Sequence, residues 1–95
     1  MEKILKVTEI VRIFEVHIEN YNEVIKAKIV KVLDHDTKYL YEGTISHFCK
    51  KKDEMEPYKK GLFLGENLEL CSAGVLNYLE RFNDAESIVA NNDYK

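Results

Sequence analysis

"ENYNE" (19–23) and "DHDTK" (34–38) cut the first half of the chain into three runs whose apolar positions agree in one pairing register. Asn and Asp favour such places because they tolerate left-handed backbone and hydrogen-bond their own main chain. The run before the first turn, residues 4–18, is dominated by β-branched and aromatic side chains. Its first half also fits a helical stripe through Ile4, Val7, Val11 and Phe14. The alternation Ile10, Arg12, Phe14, Val16, Ile18 decides for a strand. The second run, 24–33, puts Ile25, Ala27, Ile29 and Leu33 on one face, and the third, 39–49, puts Tyr39, Tyr41, Ile45, His47 and Cys49 on one face. Gly43 inside the third run marks a possible bulge.

A two-residue loop at Asn20-Tyr21 pairs Val16 with Ile25 and Phe14 with Ala27. A second loop at His35–Thr37 pairs Leu33 with Tyr39, Ala27 with Ile45 and Ile25 with His47. A slip of one residue in either would turn the apolar set to the wrong face. The expectation is therefore an antiparallel meander over about 4–49.

Residues 50–61, "KKKDEMEPYKKG", hold the one proline, have no apolar period and read as a charged loop. "LFL" (62–64) offers a short fourth strand. From about 67 to 82 the spacing turns helical, with Leu68, Cys71, Val75, Leu79 and Phe82 on one stripe and Leu76 and Tyr78 beside it. Asn67 is the expected N-cap, with Glu69 in the first turn where the helix dipole favours an anion. Gly74 either weakens this helix or lets it approach the sheet. Asp84 would cap a last helical turn in "AESIVA", and 91–95 would fray. The fold class is α+β: a single domain, 1–95, with a three- to four-stranded antiparallel meander packed by one C-terminal helix.

His47-x-Cys49 is the pair that most resembles chemistry. A zinc site needs about four ligands in paired spacings, and Cys71, His35 and His17 supply none with this pair. Cys49 and Cys71 read as small buried hydrophobes on facing elements, and His47 as a strand-end side chain with a backbone or solvent partner. "DHD" (34–36) lacks the ligand number and glycine of a calcium loop and reads as a turn. Ser46, Ser72 and Ser87 stand in no nucleophile elbow, and the glycines at 43, 61, 65 and 74 form no phosphate loop. The expectation is a protein that is not an enzyme, with no metal and no cofactor.

A formal net charge of −3 argues against a nucleic-acid partner. The meander-then-helix order resembles the double-stranded-RNA-binding domain, but that family opens its last helix with lysines. Here it opens "ENLELCSAG", with two glutamates and no lysine. The absence of a long apolar run or of a leader in "MEKILK" points to a cytoplasmic protein with reduced thiols and no membrane partner. One helix covers one sheet face, so apolar residues on the other, Val11 paired with Val30 and Val32 with Leu40, would either lie under the first half of the first run, folded over them, or form a homodimer or partner surface. Val24 and Phe48 would meet at its far end, with Glu15 opposite Lys26 between.

In size, charge, lysine-rich and arginine-poor composition and lack of motifs, the chain resembles the small phage and mobile-element inhibitors of the anti-CRISPR kind. That resemblance implies an inhibitor or adaptor working by protein–protein contact, its surface of Tyr39, Tyr41, Tyr58, Glu54 and Glu56 meeting a basic protein partner. The competing expectation is a homo-oligomer holding an anionic nucleotide or RNA through Lys50, Lys51 and Lys52.

Overall fold

A computed structural model describes residues 7–33 and 39–94. The start of the first run and the "DHDTK" turn, with its acidic triplet, lie outside them. Strand β1 (Thr8–Val16) leads through a turn to β2 (Ile25–Val32), and β3 (Tyr41–Ile45) follows. The turn has the left-handed residue that its asparagines foreshadow: Asn20 at φ 66°, closed by Tyr21 N–H to the Ile18 carbonyl at 3.1 Å. Its centre is Glu19–Asn20, and the loop is longer than the expected two residues, yet the register is the same, with Val16 opposite Ile25 and Phe14 opposite Ala27. Ala27 stands opposite Ile45 and Val32 N–H bonds the Leu40 carbonyl at 2.8 Å, as the apolar pattern requires.

Three expected features are corrected. The run 39–49 is two strands. The chain leaves the first sheet at Ser46, and β4 (His47–Lys51) belongs to a second sheet with β6 (Ala85–Ala90). Ile25 therefore does not pair with His47, nor does Phe48 meet Val24 across a shared sheet; Phe48 pairs with Val89. "AESIVA" is that β6, an extended strand where a helical turn was expected. The bulge falls at Val11 in β1, while pairing runs unbroken through Gly43. Beyond the bulge Val30 faces Ile10, so the expected pair of Val11 with Val30 does not form.

Residues Phe63–Gly65 form β5, which joins β3 to complete a sheet of order β1-β2-β3-β5. Helix α1 (Leu68–Leu79) begins at Asn67, whose side chain accepts the Leu70 N–H at 2.9 Å, and runs on as a 3₁₀ helix, Glu80–Asp84. Cys71, Val75, Tyr78 and Leu79 bury against Ile25, Ala27, Ile29, Ile45 and Phe63. Tyr78 lies inside this core rather than beside it, and Leu76 stays at the surface. The tail is tied down through Asn91, whose N–H and Nδ2 bond the Ser46 and Ile45 carbonyls, each at 2.8 Å. Tyr94 then lies against the Lys28 ammonium, 5.3 Å from ring centre.

The helix can sit this low because two sheet positions under it lack a side chain. A Cβ on Gly43 would come 2.6 Å from Cγ2 of Val75, and one on Gly65 would meet the Cys71 backbone nitrogen at 2.6 Å. Gly61, by contrast, has nothing within 4 Å of the same atom. Alanine at Gly43 should cost about 1–3 kcal/mol by overpacking. Gly65→Ala should cost at least as much, because backbone cannot rotate away. Gly61→Ala should stay within about 0.5 kcal/mol of the parent. Urea denaturation of the three variants checks the order; equal midpoints would mean the helix is free to lift.

Candidate functional site

Polar side chains gather where the second sheet meets the end of α1. The loop after β4 folds back so that Tyr58 N–H reaches the Cys49 carbonyl at 3.4 Å. Tyr78, on the helix, accepts the Cys49 N–H at 3.0 Å and donates its own hydroxyl to the Tyr58 carbonyl. Arg81, from the 3₁₀ helix, donates to the Cys49 carbonyl at 2.9 Å and to the Glu54 carboxylate at 2.6 Å. Its guanidinium lies over the Tyr58 and Tyr78 rings, 5.2 and 5.3 Å from their centres. Lys60, Phe63 and Asn77 complete the walls of an open cleft of about 210 Å³.

The electrostatics of this cleft are those of a clamp. The Lys51 N–H and the Arg81 guanidinium both bond Glu54 and hold its carboxyl below the usual range. Burial opposes the charge on Arg81, but Glu54 outweighs it and raises the guanidinium pKa. The cation is thus already neutralised, and Tyr78 is pushed up by burial and stays protonated. Cys49 is also raised by burial, and its Sγ donates to the Arg81 carbonyl at 3.3 Å. A protonated, buried thiol is a poor nucleophile.

A second cluster sits at the corner between β3 and β4. Ser46 Oγ accepts the Lys26 N–H at 2.7 Å and lies 2.7 Å from His47 Nδ1; His47 Nε2 lies 2.8 Å from Glu23. As the Nε2–H tautomer, His47 accepts the Ser46 hydroxyl at Nδ1 and donates Nε2–H to the carboxylate; carrying both protons, it donates to both partners. The line superficially resembles a nucleophile triad. Ser46, however, has its N–H on the Lys26 carbonyl and its carbonyl on Asn91, and His47 is only 7% exposed. The Ser46 N–H is thus already engaged and does not offer itself to an oxyanion. His47 has two side-chain partners, Ser46 and Glu23, in place of the expected backbone or solvent. Among the described residues no three His, Cys, Asp or Glu side chains converge as metal ligands, and Cys71 is a separate buried thiol, facing Gly43 and Phe63.

The sequence-derived surfaces are dispersed. Glu54 and Tyr58 share the Arg81 clamp, Tyr41 packs against the core and Tyr39 lies before β3. Glu56 is exposed on the loop. Lys50 is paired with Glu86 at 2.6 Å, Lys51 ends β4 and Lys52 is exposed. On the face opposite α1, Val32 is buried, Val30 half-buried and Leu40 exposed, while Val11, at the bulge, packs against the core. The exposed apolar groups beside Val30 and Leu40 are ones the register arithmetic passed over: Ile10, Ile13 and Leu64, 57%, 59% and 47% exposed. Ile10, Val30, Glu42 and Leu64 form one row across all four strands of the larger sheet. Arg81, Glu23 and Ser46 were also missed as partners, since lone polar residues at long separation carry no spacing signal.

No family model, curated protein or solved structure matches the chain. Among the described residues no helix is long and apolar enough to cross a membrane.

The directions of the shifts set a pH profile. Cys49, Cys71 and Tyr78 are all raised, so their contribution is complete below the unfolded thiol value, about 8.5, and is lost as pH rises through the folded values. Glu54 is lowered, so its contribution is present above the unfolded carboxylate value, about 4.3, and is lost as pH falls through the folded one. Urea midpoints should fall on both sides of a plateau between about pH 5 and 8. Glu54→Gln should flatten the acid side, and an unchanged acid side would remove the clamp as its cause.

Proposed function

We propose that this chain is a small non-enzymatic binding protein, an inhibitor or adaptor that works by protein–protein contact in the manner of the phage anti-defence proteins it resembles. The observation that carries the reading is the one-sided sheet. Helix α1 covers one face, while Ile10, Ile13, Leu40 and Leu64 stand exposed on the other. Exposed apolar residues gathered on one sheet face, even with Glu42 and Lys28 among them, are what a protein partner buries. The polar clusters support the same side of the choice, since Arg81 Nη2, Glu54, Ser46 and His47 bond groups of the fold itself, and Arg81 Nε, an unpartnered donor of the clamp, is buried.

A homodimer through this face is a further form of the proposal, with Ile10 and Leu64 in the place first given to Val11 and Val32. The anionic-ligand alternative draws less support. Lys50 is held by Glu86, and Asp53 and Glu54 flank the cluster.

Native mass spectrometry of the protein taken from its own host separates these readings in one measurement. A bound polypeptide, foreign or a second copy, is the expected result. A bound nucleotide or RNA would replace the proposal with the anionic-ligand alternative. Changing Lys50, Lys51 and Lys52 together to Ser should alter partner affinity by less than tenfold, about 1.4 kcal/mol. A larger loss, with a flattened salt dependence, would restore the lysines as ligand contacts.

A further inference from the structure

The larger sheet has two free edges of unequal kind. β5 is only three residues long, whereas β1 runs for nine and, among the described residues, pairs with β2 alone. An edge strand presents a row of unpaired N–H and C=O groups that another strand can bond. Beside this edge, between β1 and the end of α1, runs a groove of about 380 Å³. Its apolar walls are Phe14 and Val16 from the strand and Leu76 and Leu79 from the helix, with Glu15 and Glu80 at the rim.

We infer that the Arg12–Val16 part of β1 receives an extended, basic segment of the partner protein as an added strand. This rests on the protein-binding reading above and names the partner's chemistry. The Val11 bulge breaks the regular edge and so confines addition to the stretch beside the groove. Alternate side chains of an added strand point to the same face as Phe14 and Val16 and so enter the groove, where Leu76 and Leu79 meet them. The intervening side chains lie beside Ile13 on the open face.

Charge selects the occupant. Glu9, Glu15, Glu19 and Glu80 are all exposed along this side. The one cation of β1, Arg12, is turned under the sheet to donate to Ser72 Oγ at 3.0 Å; Lys31 and Lys26 face Glu9 and Glu15 from the neighbouring strand, which leaves Glu19 and Glu80, among the described residues, without a lysine opposite. A segment that alternates apolar side chains with lysine or arginine matches both the groove and the rim. A second copy of β1 brings no cation to Glu15: antiparallel pairing centred on Arg12 sets Arg12 against Arg12 and Glu9 against Glu15, and pairing centred on Phe14 sets Glu15 against Ile13.

The test uses the full chain and a seven-residue peptide alternating lysine and valine, with a glutamate–valine peptide as control. Amide spectra of the labelled protein should shift at residues 12–16 and at Leu76 and Glu80, and β1 amides should gain exchange protection. Binding should be at least tenfold weaker for the acidic peptide. A Leu76→Ser, Glu80→Lys double variant, changed only at exposed positions, should lose at least tenfold, while Leu64→Ser on the far edge should lose none. Equal binding of both peptides, shifts confined to Leu40 and Leu64, or no binding at millimolar peptide would each overturn strand addition. Protection of β1 that depends on protein concentration alone would assign the edge to a second copy and overturn it too. The two levels fail separately. A native protein complex that survives the groove variants but is lost with Leu64→Lys keeps the binding reading and removes this inference. The absence of any bound polypeptide from host material removes the binding reading itself.

Discussion

The main chain changes sheets at Ser46, and most of what distinguishes this fold depends on that corner. Up to Ile45 the chain is a strand of the larger sheet; one residue later it is building a second sheet. The exchange succeeds because the backbone groups left at the break find partners. Ser46 N–H keeps the Lys26 carbonyl, the Ser46 hydroxyl accepts the Lys26 N–H, and Asn91 takes the Ile45 and Ser46 carbonyls. A buried N–H or C=O left unpaired at such a place costs about 1–3 kcal/mol, so the corner could not persist without these substitutes. His47 and Glu23 continue the network outward and fix the serine rotamer that makes it possible.

Once β4 is directed away, the 3₁₀ helix and the returning loop have an edge to close on. Cys49 serves as the hub: its N–H goes to Tyr78, its carbonyl to Arg81 and Tyr58, and its thiol to the Arg81 carbonyl. A guanidinium this close to a core is tolerated only with a carboxylate partner and aromatic faces, which Glu54, Tyr58 and Tyr78 provide. The cleft that results has cationic and aromatic walls, yet its charge is spent internally.

Registers between neighbouring runs were legible because they depend on local alternation and on turn residues next to each other in sequence. Phe14 with Ala27 and Ala27 with Ile45 follow from that alone. The corner was not legible, since alternation continues through 39–49 whether or not the strand changes sheet. What decides it is β6, whose first residue, Ala85, pairs with Lys51 from 34 residues earlier, and a short run such as "AESIVA" fits a strand or a helical turn equally until its partner is known. The bulge shows the same limit in small. Gly43 carried the usual signal for one, but its missing side chain is required by Val75 above the sheet, and the bulge went to Val11, a residue with no such mark. Of the residues singled out by type, Tyr58 and Glu54 do come together, but around Arg81, a partner that no spacing rule would join to them.

The asymmetry between spent and unspent groups is what orders the surfaces. At the clamp and the corner, the polar atoms that could act on a ligand, the buried Arg81 Nε excepted, already hold backbone or each other, so a newcomer would have to break native bonds before making most of its own. At the β1 edge, which among the described residues pairs on one side alone, and on the face beside it, where Ile10, Ile13 and Leu64 lie exposed, association can add contacts. A ledge of that kind favours an extended polypeptide over a small molecule, because main-chain bonding and alternate side-chain burial are realised together only by a strand. The acidic rim then limits which strands can use it, since a like-charged segment would bring its own carboxylates against Glu15 and Glu80 as it docked.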